Sequence, residues 1–179
     1  MPLALDLSRP FEPPAKLLEL DRVDGLVHCA AIAEVARIAG TPVALWQETL
    51  MVNVVAAAEL TRVLLPALRI ASGHVLLVNA APGVRAIPGW SAYCASKAAL
   101  RELADCLRLE ESPHGVKVAS VYPPGTATNL LRTVRGRFGR PYDPAQCLQP
   151  EVVARRIVDL LEVVDHTVLT EVIIARSKD

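Results

Sequence analysis

The stretch GHVLLVNAAPGVRAIPGWSAYCASKAALRELA, residues 73–104, decides the fold of this chain. It begins with a continuous run of apolar residues, which is typical of a strand that is buried on both faces. A Pro-Gly pair stops this strand, and from about Ser91 a helical pattern follows that continues to about Glu111. The stretch therefore predicts a buried strand and then a long helix, which is the repeating unit of a parallel sheet covered by helices.

The same alternation extends in both directions along the chain. Strands are predicted at residues 2–7, 24–31, 73–83, 115–125 and 167–175, and helices at 15–20, 42–68, 91–111 and 150–163. A polar segment rich in glycine and arginine, 126–149, is predicted as a flexible lid or a solvated loop. Strands that alternate with helices predict an α/β fold, a doubly wound parallel sheet, in a single domain of residues 1–179.

The composition limits the partners of the chain. Its 179 residues suffice for one domain with a sizeable core, and 19 basic and 19 acidic residues leave no net charge to attract nucleic acid. No apolar run approaches the roughly 18 residues that would cross a bilayer, and the N-terminus has no basic lead. Neither the four cysteines nor the four histidines have metal-ligand spacing. We therefore expect a cytoplasmic protein without a metal ion, a nucleic-acid partner or a membrane partner.

Two polar residues at the start of the long helix are candidates for proton transfer. Tyr93 and Lys97 are four residues apart, so they lie on one face of a helix. A phenol has a pKa near ~10, and a neighbouring ammonium would lower that pKa toward the range of a general acid or base. The alternative is a surface pair that meets by chance. The pair follows a buried strand and a turn, where ligands bind in such folds, and this position favours the functional interpretation.

Several segments together resemble the short-chain dehydrogenase/reductase family over nearly the whole chain. The match covers YCASK as the Tyr-x-x-x-Lys motif, VNVVAAAELTRVLLPAL as the long dimer helix, DGLVHCAA as a strand end, VYPPGTAT as the Pro-Gly turn and ALDLS as the strand near the adenine. The resemblance implies a Rossmann-like sheet and an NAD- or NADP-dependent enzyme. Such an enzyme interconverts an alcohol and a carbonyl by hydride transfer.

The resemblance also implies roles for individual residues. Tyr93 would be the acid/base, and Lys97 would hold the nicotinamide ribose and lower the phenol pKa. Asn53 would lie at a helix kink and link Lys97 to solvent through water. The remaining cofactor contacts would be Asp6 and Leu7 at the adenine end, Ala30 along the cofactor, and Thr126 and Thr128 near the nicotinamide amide or the diphosphate.

Some positions depart from the family pattern. Ala80 stands where the family has a serine that helps to hold the substrate carbonyl, and one such donor can be worth on the order of 10² in rate. Strand alternation would turn the neighbouring Asn79 to the opposite side, and Ser91 would lie on a different helix face from Tyr93. We therefore expect impaired activity. Further departures are Cys29, Ala31 and Pro124, which stand for Asn, Gly and Gly.

None of the nine glycines forms the glycine-rich turn with which the family cradles the cofactor diphosphate. We therefore expect the cofactor site to be broken and the sheet to be incomplete at its first two strands. The strand at 24–31 would then expose an apolar edge, and residues 1–22 would be displaced or poorly ordered. Three alternatives are open: residues 2–7 pair with this edge, a partner chain covers it, or the chain is a fragment of a longer enzyme.

Two functional hypotheses follow. The first is a nicotinamide-dependent oxidoreductase that acts on a small carbonyl or alcohol. The second is a catalytically inactive family member that serves as a dimerising or ligand-sensing scaffold. In both cases we expect a homodimer or another homo-oligomer through the helices at 42–68 and 91–111, which are rich in Ala and Leu.

Overall fold

A computed structural model describes residues 3–8, 13–80, 86–163 and 167–177. Its sheet has four parallel strands, which are neighbours in chain order: β1 (Gly25–His28), β2 (His74–Val78), β3 (Lys117–Tyr122) and β4 (Glu171–Ile173). The predicted α/β fold with a parallel, Rossmann-like sheet is confirmed. The single-domain organisation stays a prediction.

Helices connect the strands. They are α1 (Ala15–Leu18), α2 (Val43–Leu50), α3 (Ala56–Ala71), α4 (Ser91–Glu111), α5 (Asn129–Arg137) and α6 (Pro150–Leu161). A π-helical turn, Met51–Val55, joins α2 to α3, so the helix predicted at 42–68 runs from Val43 to Ala71 with a widened turn inside it. Single π-turns of this kind are frequent at functional sites.

The core lies on both faces of the sheet because successive strand side chains point to opposite sides. Val75 and Leu77 of β2 pack with Leu68 of α3 and Leu100 of α4 on one face. Leu76, between them in sequence, packs on the other face with apolar residues of α6. The continuous apolar run that predicted this strand therefore reflects burial on two sides.

The strand predicted at 2–7 is wrong over the described residues 3–7. Residues 3–6 have no regular secondary structure, and Leu7 and Ser8 form a turn. Asp6 Oδ1 accepts hydrogen bonds from the Ser8 backbone N–H at 2.9 Å and from the Ser8 hydroxyl at 2.7 Å. Local bonds between close neighbours of this kind compete with sheet pairing. Within the described residues β1 pairs with β2 alone, so its other edge carries no strand.

The helix from Val43 to Ala71 is long and apolar enough to cross a membrane by length and composition alone. This finding corrects the expectation that no segment of the chain reaches that length. A single helix of this kind is weak evidence, because the core helix of a water-soluble protein passes the same test. In this fold α3 packs against the sheet through Leu64 and Leu68.

Candidate active site

A cavity of about 290 Å³ opens at the carboxyl ends of β2 and β3. Asn79 and Ala80 line it just after β2, and residues 123–126 line it just after β3. Trp90 and Tyr93 contribute from the start of α4. This is the position at which parallel α/β sheets bind their ligands, so the cavity is the candidate active site.

Tyr93 lies in the wall of this cavity on the first turn of α4. Its side chain is 8% exposed, and the Trp90 ring stacks on it with ring centroids 4.2 Å apart and an angle of 18° between the planes. Burial raises the pKa of Tyr93 from 10.0 to about 12, and the neighbouring Cys94 adds to the shift. The pKa of Tyr93 is therefore raised, and not lowered as we expected from Lys97, because burial disfavours the charged phenolate.

Lys97 lies one turn further along α4 and is 7% exposed. Its Nζ donates a hydrogen bond to the backbone oxygen of Val78 at 2.9 Å and lies 5.8 Å from the centroid of the Tyr93 ring. The two side chains therefore share a helix face, as their spacing predicts. Burial lowers the pKa of Lys97 from 10.5 to about 8, while the nearby Cys29 opposes that shift.

Asn53 lies in the π-turn between α2 and α3 and is 2% exposed. Its Oδ1 accepts from the Ile32 backbone N–H, and its Nδ2 donates to the Ile32 carbonyl and to Ser96 Oγ, all at 2.9 Å. The Ser96 hydroxyl in turn donates to the Tyr93 carbonyl at 2.8 Å. Asn53 thus fastens the segment after β1 to α4 through Ser96. Its role in linking Lys97 to solvent stays a prediction.

Ser96 is a site residue that the sequence reasoning missed. It lies inside the YCASK motif, directly before Lys97, and it is fully buried. The signal available in the sequence was a serine inside a predicted helix, with apolar residues one turn before and after it. If such a serine is buried, its hydroxyl needs a hydrogen-bond partner.

Asn79 and Ala80 both contribute to the lining of the cavity, just past the end of β2 at Val78. The expected opposite orientation of the Asn79 side chain stays a prediction. Asn79 Nδ2 donates to the Lys97 carbonyl at 3.1 Å, and its Oδ1 accepts from the Ala80 N–H at 2.8 Å. We call Asn53, Asn79, Ser96 and Lys97 the buried polar network.

The Ser91 hydroxyl does not line the cavity, so it does not take the place of the family serine. Ser91 begins α4, and its Oγ is buried without a hydrogen-bond partner, away from the lining of the cavity. Ala80 therefore contributes a methyl group, and no hydroxyl, to the cavity.

The residues implied as cofactor contacts divide into two groups. Thr126 and Thr128 line the cavity, where Thr126 Oγ1 donates to the Pro124 carbonyl at 3.0 Å. Ala30 is exposed just beyond the end of β1 and does not line the cavity. Asp6 and Leu7 lie outside the sheet, so the strand that was to carry them toward the adenine is not formed.

Helix α5 covers the cavity with Leu130, Leu131 and Val134, although this segment was predicted as a lid or a loop. Thr128 Oγ1 caps the helix by accepting from the Leu131 N–H at 3.2 Å. The signal was present in the sequence: a threonine N-cap precedes apolar residues at helical spacing. The arginines and glycines of the segment concealed that pattern.

No group of three His, Cys, Asp or Glu residues that could hold a metal ion occurs in the described ranges. The four cysteines are free thiols, and only Cys147 among them is buried. The chemistry of the site therefore has to be derived from its phenol, ammonium, amide and hydroxyl groups.

Comparison with known proteins identifies the family. The model of the short chain dehydrogenase family matches residues 15–137. The chain belongs to the short-chain dehydrogenase/reductase family. It is 33% identical to the glycine betaine reductase ATRR of Emericella nidulans over 162 residues, which are 87% of this chain. It is 32% identical to the 3-ketodihydrosphingosine reductase of Dictyostelium discoideum over 111 residues, which are 60% of this chain. It spans 13% of the length of the first relative and 33% of the second.

The fold comparison agrees with this family. An alcohol dehydrogenase from the archaeon Thermococcus sibiricus, complexed with 5-hydroxy-NADP, superimposes with a TM-score of 0.78 at 20% identity. The match covers 98% of this chain and 75% of that chain. At this identity the likeness shows the fold alone.

The residues of the site fit one end of a nicotinamide cofactor, the cofactor of this family. Tyr93, Thr126 and Thr128 line the cavity, and the Lys97 ammonium lies 5.8 Å from the centroid of the Tyr93 ring. The 179 residues contain no glycine-rich turn for the diphosphate. Candidate partners in this chain are therefore found mainly for the nicotinamide and its ribose.

Proposed function

We propose that this chain carries the proton-transfer site of an NAD(P)-dependent oxidoreductase that interconverts an alcohol and a carbonyl. The observation that carries the proposal is the position of Tyr93, whose phenol lines a cavity at the carboxyl ends of the strands while the buried Lys97 lies behind it. Family membership supports the reaction class. A small carbonyl or alcohol compound is the proposed substrate, and either NAD or NADP is the proposed cofactor.

In the direction of carbonyl reduction, Tyr93 is the acid. Burial raises its pKa to about 12, so its hydroxyl keeps its proton at neutral pH. A reduced nicotinamide, when bound, would supply the hydride. Tyr93 gives its proton to the carbonyl oxygen, and solvent then returns a proton to the phenolate. The buried polar network holds α4, and with it Tyr93, in place during this transfer.

We further propose that the activity is low, because Ala80 offers no hydrogen bond to the carbonyl oxygen as negative charge develops on it. Restoring the donor with A80S should raise the rate of reduction by up to about 10²-fold, the cost of one missing donor of this kind. Without the serine, the Tyr93 hydroxyl alone contacts the carbonyl oxygen.

The experiment measures cofactor binding and turnover separately on the full chain. Nicotinamide fluorescence during titration of NADH and NADPH reports binding, and loss of the reduced nicotinamide with a panel of small ketones reports turnover. In the A80S background, Y93F should lower the rate by about 10²–10⁴-fold while leaving cofactor affinity within a factor of about two. Y142F is the matched control, because Tyr142 lies outside the cavity lining, and it should leave the rate unchanged.

The outcomes separate the hypotheses. Turnover that survives Y93F contradicts the proposed role of Tyr93. Cofactor binding without turnover, even in A80S, favours the second hypothesis of an inactive scaffold that binds a ligand. Absence of cofactor binding in both the parent and A80S contradicts an independent oxidoreductase activity of these 179 residues.

We also propose a homodimer through α2–α3 and α4, and a cytoplasmic location. Large apolar side chains on these helices support the dimer, since Val43, Ile70 and Leu109 are 71%, 67% and 78% exposed. Free cysteines suit a reducing compartment. Light scattering after gel filtration would contradict the dimer if it returned the mass of one chain at all concentrations.

A further inference from the structure

We propose that the cavity selects small, neutral, apolar carbonyl compounds, and that Trp90 is the residue that sets this preference. The inference rests on the proposed function, since it names the substrate class of the same site. It is carried by the chemistry of the cavity walls and by the position of one aromatic ring.

The walls of the cavity are almost entirely apolar. Alanine, proline, leucine, valine and tryptophan side chains make up most of the lining, and none of the described lining residues is charged. At about 290 Å³ the cavity lies at the small end of the range for small-molecule sites, roughly 300–1,000 Å³. A ligand that leaves water for this cavity therefore gains from burial of its hydrocarbon part.

The polar groups in the walls are mostly engaged with the protein. Asn79 bonds to the backbone of Lys97 and Ala80, Thr126 donates to a backbone carbonyl, and Thr128 caps α5. Among the described lining side chains, the Tyr93 hydroxyl and the Trp90 Nε1 make no such bond. The cavity therefore offers few free donors, which suits a ligand with a single carbonyl oxygen.

Four described arginines near the cavity do not provide an anion site. Arg132 lies over the Tyr142 ring, Arg135 donates to the Pro141 carbonyl, and Arg140 lies over the Phe138 ring. Arg137 forms an ion pair with Glu34. None of these four arginines lines the cavity. Against the residues that the structure describes, a substrate carboxylate would therefore lose its hydration without gaining a cation.

Trp90 occupies the position from which it can set the preference. Its ring stacks on Tyr93 at 4.2 Å and meets the edge of Phe138 at 5.8 Å, so it is held between α4 and the end of α5. The ring contributes mainly carbon surface to the wall, and its indole Nε1 is buried without a hydrogen-bond partner. A carbonyl compound bonded to the Tyr93 hydroxyl must place its neighbouring group beside this ring.

A matched pair of ligands tests the preference without cofactor. 2-Octanone and 7-oxooctanoate have the same eight-carbon chain and a ketone near one end, and the second carries a carboxylate at the other. In a W46F background, Trp90 is the one indole of the chain, so its fluorescence reports the cavity. We expect saturable binding of 2-octanone at least about tenfold tighter than that of 7-oxooctanoate. Equal affinities, tighter binding of the keto acid, or no saturable binding of either would overturn the proposal.

Variants test the assignment to this cavity and to Trp90, with calorimetry as the readout. W90A should weaken 2-octanone binding about tenfold, and W90F should restore most of it, because a second aromatic ring keeps the apolar wall. L130R adds a cation to the cavity wall at a residue that is 40% exposed, and it should raise the affinity for 7-oxooctanoate. V158R, at a residue 48% exposed on α6 and outside the cavity lining, is the control and should change neither affinity. If V158R acts like L130R, or if W90A binds as the parent does, the assignment is wrong.

Failure of this inference differs from failure of the proposed function. Preferential binding of 2-octanone without any oxidation of NADH or NADPH would support the cavity chemistry and contradict the enzyme activity. Turnover of both ligands with equal kcat/KM would support the enzyme activity and contradict the cavity chemistry.

Discussion

The buried polar network and the cavity above it differ in how their polar groups are satisfied. In the network, Asn53 makes three hydrogen bonds, Asn79 makes two, and Lys97 donates to the Val78 carbonyl. In the cavity walls, apolar side chains predominate, and the Tyr93 hydroxyl and the Trp90 Nε1 make no hydrogen bond to the protein. The network lies beneath Tyr93, and the cavity lies in front of it.

This difference indicates two roles within the site: the network stabilises the fold, and the cavity selects the ligand. A fully bonded network holds its members in one arrangement, because each broken bond would leave a buried polar group unpaired. An apolar cavity has no such constraint and selects ligands by size and polarity. Changes in the network should therefore alter the stability of the fold, while changes in the cavity walls should alter which ligand binds.

The largest stability effect in the network is expected from Lys97. Its pKa is about 8 in the folded chain and 10.5 ordinarily, so the unfolded chain binds more protons between these values. The free energy of unfolding should therefore rise as the pH is raised from about 8 to about 10, and the full shift corresponds to about 3 kcal/mol. Urea unfolding across this range measures the rise, which K97M should abolish.

K16M is the control for this experiment, because Lys16 is exposed on α1. The range has to end near pH 10, since the raised pKa of Tyr93 gives the opposite slope above its ordinary value of 10.0. A slope that persists in K97M would show that another group causes it.

A smaller loss is expected when Asn53 is replaced by leucine. N53L keeps the approximate volume but leaves the Ile32 backbone N–H and carbonyl without their side-chain partners, so it should lower the free energy of unfolding by about 2 kcal/mol. Chemical denaturation at neutral pH measures this loss. N129A, at the exposed first residue of α5, should stay within about 0.5 kcal/mol of the parent. If N53L were as stable as N129A, the network would not hold the fold.

The smallest effect is expected at the ion pair between Glu34 and Arg137, which links α5 to the segment after β1. The two side chains are 40% and 50% exposed, and exposed pairs contribute about 0–1 kcal/mol. E34Q should therefore change the free energy of unfolding by less than about 1 kcal/mol and leave 2-octanone affinity within a factor of about two. A larger loss of affinity would mean that this ion pair, and not apolar contact, holds α5 over the cavity.

The strands and helices that depend on local sequence patterns could be predicted from the sequence. The apolar run predicted as a strand at 73–83 located β2, although β2 ends at Val78, and the helical spacing at 91–111 matches the bounds of α4, because strand and helix periods depend on neighbouring residues. The predicted strand at 2–7 failed because a strand needs a partner, which no local pattern reveals. Helix α5 was missed because polar residues hid its Thr128 cap and its apolar positions.

Within the site, the sequence alone determined that Tyr93 and Lys97 share a helix face, because a spacing of four residues is nearly one helical turn. It also determined that Ala80 offers no hydroxyl. Only the tertiary structure decided that the pKa of Tyr93 is raised and not lowered, since the pKa depends on how much water the packed Trp90 ring and its surroundings exclude. The composition of the cavity walls also depends on the tertiary structure, because the walls combine residues from segments that are distant along the chain.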